Sequence, residues 1–271
     1  LVDPSSTSFA VVVTDADGDT ATPANLVIDI IDDVPTARAD TDATAAGQFT
    51  SETGNVITAV GTTNSGADTQ GADGAVVAGI AAGSTAGGID ANVGTAIQGL
   101  YGKLTIQSDG SYSYARDAGS QGGHDDVFTY TLKDGDGDLS HTTLTISIGD
   151  TTPTDTIPAA GGVTTTVYEA ALAARSGEPA GSNEAASTET TSGTIGFTSP
   201  DGVQTVSLGG HVLTIAAQTF TDATGSLTAS YTYSPATGAG TISYSYTLLD
   251  NTLTDPSSVS FAVVVTDTDG D

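Results

Sequence analysis

The sequence predicts an all-β protein, a linear array of tandem β-sandwich domains of the immunoglobulin type. Three observations carry that expectation. Residues 226–250, SLTASYTYSPATGAGTISYSYTLLD, alternate Tyr, Ile and Leu with Ser and Thr at a period of two, the spacing of a strand with one buried face. Gly, Asp and Pro punctuate such runs at intervals of about 8–12 residues, as sandwich strands require. One pattern of strand, acidic loop and strand also recurs at intervals of 119 and 133 residues, measured from Asp15 to Asp134 to Asp267. That is the length of one such domain.

The elements follow in chain order. FAVVV (9–13) and NLVIDI (25–30) read as strands on either side of the loop TDADGD. YGKLTIQSDGSYSYARD (101–117) predicts two strands joined by a turn at Ser108, Asp109 and Gly110. GTIGFTSPDGVQTVSLGG (193–210) predicts the same design around Pro200, Asp201 and Gly202. β-branched and aromatic residues dominate these runs. Residues 66–95 are poor in bulky side chains and predict a long, loosely packed excursion. Only VYEAALAARSGE (167–178) suggests a helix, and it is short. The tyrosines of 231–246 are expected to face inward as core; a flat exposed Thr or Tyr ladder would instead favour a binding surface.

Repeats set the domain organisation. LVDPSSTSFAVVVTDADGD (1–19) returns at 253–271 with three substitutions, 252 positions later, and a weaker copy lies between them. The period is therefore a pair of unlike domains. Residues 1–33 are read as the C-terminal strands of a preceding repeat, 34–150 as a complete sandwich, and 151–271 as a second, longer-type sandwich lacking its last strand. The chain reads as a piece of something longer.

Composition narrows the function classes. Among 271 residues, 33 are acidic and five basic, a formal net charge of −28. Nucleic acid and anionic membrane surfaces are polyanions, so both are disfavoured as partners, and a cation is favoured. Apolar residues make up 37% and fall in alternating runs, which argues against a disordered acidic chain. The absence of Cys removes disulfides and thiolate metal sites. No apolar run approaches the ~20 residues of a membrane span, so direct membrane insertion is not expected.

The acidic loops gather the candidate ligands: Asp15, Asp17 and Asp19; Asp134, Asp136 and Asp138; Asp267, Asp269 and Asp271. Each loop sits between the last two strands of its domain. The last strand ends where the chain leaves for the next domain, so the loop before it faces the preceding one. That topology brings Asp134, Asp136 and Asp138 toward the linker residues Asp32 and Asp33, and Asp267, Asp269 and Asp271 toward Asp150. Hard oxygen ligands in such number suit Ca2+, which takes about 6–8 oxygens in forgiving geometry. Zn2+ or Cu2+ would want His or Cys, and His124, His141 and His211 lie far apart in the sequence. The loops open like an EF-hand, but the twelfth position is Leu26 or Thr145 instead of a bidentate Glu. Asp-Gly loops also serve as plain hairpin turns, and acidity aids solubility. Three copies that each keep all three aspartates favour the ligand role. Glu52, Glu169 and Asp40 read first as ordinary surface acids and second as extra ligands at the opposite pole.

No nucleophile elbow, His-Glu-x-x-His or phosphate-binding loop occurs. The His124–Asp125–Asp126 stretch reads as a surface loop, and acidic clusters that recur in each repeat are unlike a catalytic site. An enzyme is not expected.

At this point the residues show a resemblance. IIDDVPTARAD after VTDADGD resembles the domain junctions of giant RTX-type adhesins that Gram-negative bacteria export by type I secretion. Residues 34–150, with GNVITAV and FTYTLKDGDGD, look like a VCBS-type, cadherin-like repeat; residues 163–271, with SLGGHVLTI and ISYSYTLLD, resemble the longer repeat of the same agglutinins. IDDVP is similar to the cadherin linker Asp-x-Asn-Asp-x-x-Pro, which implies ligand positions for Asp32 and Asp33. IGDTTP departs from it, leaving Asp150 alone. The resemblance implies extender domains rigidified by Ca2+, extracellular and at the bacterial cell surface, serving adhesion and biofilm formation. The partners are then neighbouring repeats of the same chain and other copies of itself. Two alternatives stay open: a self-assembling fibre or surface-layer protein, and a Ca2+-dependent glycan-binding module.

Overall fold

The computed structural model describes residues 5–63, 66–252 and 257–271. The LVDP and LTDP openings of the long repeat, at 1–4 and 253–256, lie outside the described residues. The chain is all-β. Its strands are β1 (Ser5–Val11), β2 (Ala24–Ile30), β3 (Asp40–Thr44), β4 (Glu52–Asn55), β5 (Ala75–Ala82), β6 (Ile97–Gln98), β7 (Gly102–Ile106), β8 (Ser111–Arg116), β9 (Asp125–Asp134) and β10 (Leu139–Ile148). They continue with β11 (Thr154–Thr156), β12 (Thr190–Thr198), β13 (Thr205–Leu208), β14 (His211–Val212), β15 (Gln218–Thr221), β16 (Gly225–Ser234), β17 (Ala239–Leu248) and β18 (Val263–Thr266). Two single 3-10 turns, Glu169–Ala171 and Glu184–Ala186, are the helical content of the described residues, and no helix there is long and apolar enough to cross a membrane. The first of them takes the place of the helix suggested for 167–178.

β1 and β2 form a two-stranded antiparallel ribbon in which Phe9 faces Leu26 and Ser5 faces Ile30. Two sheets of order β3-β10-β9-β5 and β4-β8-β7-β6 make the first sandwich. Its core comes from alternate residues of both sheets, among them Leu104, Ile106, Tyr114, Phe128, Leu132 and Ile146, each fully buried. Tyr114 and Phe128 meet edge to face, with ring centroids 6.1 Å apart, the geometry that aromatic quadrupoles prefer. Each such side chain contributes about 1.5–3 kcal/mol on burial, which matters in a chain with no disulfides.

Part of the excursion expected to be loose is an ordered strand. Residues 75–82 form β5, paired to β9 with a bulge between Val77 and Gly79. Val77 and Ile80 are buried at 1% and 0% exposure. Small residues hid the strand from view while allowing a close approach. A Cβ on Gly79 would lie 1.9 Å from the Ile89 carbonyl oxygen. The buried hydroxyls of Thr129 and Thr131 accept from the amides of Thr85 (3.0 Å) and Ile89 (2.7 Å) and tie the following loop down.

The second sandwich pairs a sheet of order β11-β12-β17-β16-β15 with one of order β14-β13-β18. Ile195, Phe197, Val206, Leu208, Leu227, Ile242, Tyr246 and Leu248 form its buried core, and Tyr231, Tyr233 and Tyr244 pack against it. The tyrosines thus face inward. The opposite face of the five-stranded sheet carries hydroxyl rows. Cross-strand register aligns Thr190, Thr247, Ser226 and Thr221 in one row, and Ser192, Ser245, Thr228 and Thr219 in the next. Pro200–Gly202 does not close a hairpin, contrary to expectation. β12 pairs with β17 and β13 with β18, so this turn carries the chain from one sheet to the other.

Contacts within the chain define two compact units. One comprises residues 1–42, 52–114 and 126–146, the other 43–51, 115–125 and 147–271.

Candidate metal centres

The three acidic loops share one hydrogen-bond design. Oδ1 of the first aspartate accepts from two backbone amides ahead of it: Gly18 and Asp19 on Asp15 (3.2 and 2.9 Å), Gly137 and Asp138 on Asp134 (2.9 and 2.7 Å), Gly270 and Asp271 on Asp267 (3.0 and 2.9 Å). The amide of each first aspartate donates to the carbonyl of the last at 2.9–3.2 Å. The glycine between them has φ of +104°, +113° and +107° in the three copies, a backbone conformation closed to residues with a Cβ. Asp-x-Asp-Gly-Asp is therefore a folded loop in which Oδ1 of the first carboxylate is committed, and in Asp134 and Asp267 the Oδ2 is buried without a hydrogen bond.

In the first unit, Asp32 joins Asp134, Asp136 and Asp138, each offering an oxygen within 4.8 Å of the others. Asp134 is only 8% exposed, and its Oδ2 is buried without a hydrogen bond. Burial works to raise the Asp134 carboxyl, but the Asp138 and Gly137 amides outweigh it and hold the group below its ordinary value. Asp138 is raised, first by sharing a proton position with Asp32 and then by burial and the neighbouring charges. Asp33 stands outside this group.

In the second unit, Asp150 joins Asp201 and Asp269, and Asp269 belongs also to the set Asp267, Asp269 and Asp271. Asp267 is fully buried with Oδ2 lacking a hydrogen bond, and both carboxylate oxygens of Asp269 are in the same condition. Burial, reinforced by Asp267 and Asp150, pushes the Asp269 carboxyl up to about 7. Such a group sheds its proton only when a positive charge arrives or the pH rises.

Asp201 is the residue sequence reasoning missed. It is fully buried, and its carboxylate accepts from Arg116 Nη2 at 2.8 Å and from the Thr151 amide at 2.8 Å. Arg116, itself 6% exposed, also donates to the Ser120 carbonyl (2.6 Å) and to Ser120 Oγ (3.1 Å). The Asp201 carbonyl accepts from the Thr268 hydroxyl. Pro-Asp-Gly at 200–202 signalled only a turn; nothing in its spacing named Arg116 or Asp150 as neighbours.

Asp15, Asp17 and Asp19 form an acidic group within their own loop, all exposed. Asp15 is lowered, chiefly by a hydrogen bond with Asp17 and then by the Asp19 amide.

Of the three acids read as surface groups, Asp40 is a correction. It is 1% exposed, and its Oδ2 lies 2.8 Å from the Tyr130 hydroxyl, which also lies 3.0 Å from Asp68 Oδ2. Asp42 similarly accepts from Tyr112 at 2.5 Å, and Asp126 from Tyr114 at 2.9 Å. Buried tyrosines give these carboxylates hydrogen bonds that the core otherwise denies them. Glu169 is exposed and accepts from the Thr252 hydroxyl at 2.7 Å, and Glu52 is half-buried on β4.

The two larger sites supply oxygen alone, with preformed loops and buried acceptors lacking donors. Clusters of this kind can hold a metal ion. No protein-family model matches the chain, and no curated protein matches it.

Proposed function

We propose that this chain is a Ca2+-rigidified extender segment of a secreted bacterial cell-surface adhesin. One observation carries the proposal: linker carboxylates, Asp32 and Asp150, meet loop carboxylates from distant sequence in two separate places. Asp32, Asp134, Asp136 and Asp138 would hold one ion; Asp150, Asp201, Asp267, Asp269 and Asp271 would supply the ligands of the second site. The bound ion would supply positive charge to carboxylates that otherwise repel and bond the linker to the domain it enters. The donors are all oxygens, which favours Ca2+ over Zn2+ or Cu2+. Extracellular modules bind Ca2+ at roughly 0.1–1 mM, a range met outside cells and not in cytosol, so the chain would stay pliant until exported. Recurrence of the same loop in every repeat supports a structural role over catalysis.

Calorimetry with and without chelator tests the proposal. Ligand bound only by the native state adds about 2.7 kcal/mol at a hundredfold excess over Kd, so chelation is expected to lower Tm by several degrees. An unchanged melting curve would remove Ca2+ from the account.

A glycan-binding role is favoured by one feature, the hydroxyl rows on the outer face of the five-stranded sheet. Retention of the protein on an insoluble polysaccharide, lost on Thr190→Glu/Thr247→Glu, would support that reading.

A further inference from the structure

The second sandwich holds a small cavity of about 250 Å3. His211 of β14 and Phe220 of β15 close one side, their rings stacked 4.0 Å apart and 9° from parallel. Both strands are the outermost of their sheets, and β14 is the edge opposite β18. Tyr246 of β17 and Phe261 form two further walls, with ring centroids 5.6 Å apart. Phe261 is set in place from β13, where the Gly209 amide donates to the Ala262 carbonyl at 2.8 Å. Leu227 and Gly225 of β16 complete the lining. Every wall thus rests on pairings internal to this sandwich.

Two polar groups in the lining lack partners. Tyr246 is 7% exposed, and its hydroxyl is buried without a hydrogen bond, a condition that folded proteins rarely tolerate. Gly225 keeps the space beside that hydroxyl open, since a Cβ there would collide with its oxygen. Asp222 stands exposed at the rim, its Oδ1 accepting from the Thr224 and Gly225 amides, both at 2.8 Å. These amides, Gly225 first, hold the Asp222 carboxyl below the usual carboxylate range, so it carries its charge. Burial, and then the Asp222 charge, raise the Tyr246 hydroxyl, which stays a neutral O–H. No cation of this sandwich meets Asp222 among the described residues. Arg116 is bonded to Asp201, and Arg175 to Glu178 and Asp250.

We propose that this cavity binds a methylated ammonium group, with Asp222 as its counter-charge and the rings of His211, Phe220, Tyr246 and Phe261 around it. Aromatic faces attract cations, and rings gathered about a small space are the usual receptor for quaternary ammonium ligands. Such a group needs no hydrogen bond of its own, which matches a lining of rings and Leu227. The Tyr246 hydroxyl is then free to bond a polar atom on the ligand's arm. A hexose would demand several buried polar partners, and an anion would meet Asp222 in a chain of net charge −28. The volume falls below the ~300–1,000 Å3 of cavities for drug-sized ligands, as a small head group requires. Soluble betaines and choline share this chemistry with the phosphocholine head groups of lipids.

The test uses the full chain at one fixed Ca2+ concentration, so that the acidic loops contribute equally throughout. An NMR titration compares choline with its neutral carbon isostere, dimethylbutanol, which keeps the shape and lacks the charge. Choline is expected to shift the signals of Gly225 and Leu227 and to bind about tenfold more tightly than the isostere. Asp222→Asn keeps an oxygen for the Thr224 and Gly225 amides while removing the charge, and should bring choline down to the level of the isostere. Tyr246→Phe should weaken choline severalfold and leave tetramethylammonium, which has no hydroxyl, unchanged. Displacement of choline by glycine betaine would assign the site to a soluble ligand, and displacement by phosphatidylcholine vesicles alone to a lipid head group. Equal binding of choline and isostere by the parent chain would overturn the proposal, and that comparison needs no variant to fold. Shifts confined to residues outside the cavity, or parent-level affinity in a folded Asp222→Asn chain, would overturn it as well.

Discussion

Asp134 is held below its ordinary carboxylate range by two amides, whereas Asp269, in an equivalent loop, is pushed up to about 7. The difference lies in the groups around each carboxyl. Asp134 accepts from two amides of its own turn, whereas the Asp269 oxygens are buried beside the carboxylates of Asp267 and Asp150. The consequence is a pH dependence with a definite sign. A group raised in the folded state stabilises it fully below its unfolded value near 3.8, and that stability is lost as the pH climbs through about 7. Asp138, raised as well, adds in the same direction, while Asp134 titrates below the window. Metal-free protein is therefore expected to melt lower at pH 8 than at pH 5, and the slope should flatten once Ca2+ replaces the proton. Calorimetry in chelator at the two pH values checks this. A second residue-scale expectation concerns Arg116. Breaking a buried pair by removing one partner costs about 3–5 kcal/mol, so Arg116→Ala should destabilise the second unit strongly. Pairing it with Asp201→Ala should recover part of the loss, measured by denaturant titration of the double-mutant cycle. Asp136→Ala should leave the metal-free Tm nearly unchanged and blunt the Ca2+ response of the first unit.

At the scale of elements, several glycines face aromatic rings across the ladder. Gly240 pairs with Phe197, and a Cβ there would sit 2.0 Å from the ring; Gly193 pairs with Tyr244 under the same constraint, at 2.6 Å from its hydroxyl. The ring covers the backbone that glycine exposes. Gly240→Val should therefore displace Phe197 from the core and cost about 1–3 kcal/mol or more, read as a fall in Tm with the sheet content preserved. These pairs also explain which elements were legible in the sequence. The β16–β17 hairpin was plain because bulky residues alternate with hydroxyls over ten positions in each strand. β5 was not, because AVVAGIAA carries its pattern in only two large inward side chains, Val77 and Ile80. The Pro200 turn looked like a hairpin because local chemistry fixes a turn, while the choice of partner strand is decided by contacts far along the chain.

For the whole molecule, the repeat made most of the candidate sites visible: loops that recur with all three aspartates mark themselves, and strand direction indicated which linker each faces. What repetition could not show was Asp201, which occurs once and is held by another single residue, Arg116. If the ions act as proposed, small-angle scattering should give a narrow distribution of longest dimensions in Ca2+ and a broad one in chelator, since an unligated linker leaves domain motion free. Matching profiles would separate metal binding from any mechanical role. The Arg116 clamp has one more consequence, for proteolysis. A protease that cleaves after basic residues finds five such positions in 271. At Arg116 it meets a side chain 1% exposed and bonded to Asp201 and Ser120. Cleavage there must wait for local opening, so the rate at which trypsin cuts after Arg116 is a clock for how often the second unit comes apart, and one that added Ca2+ should slow.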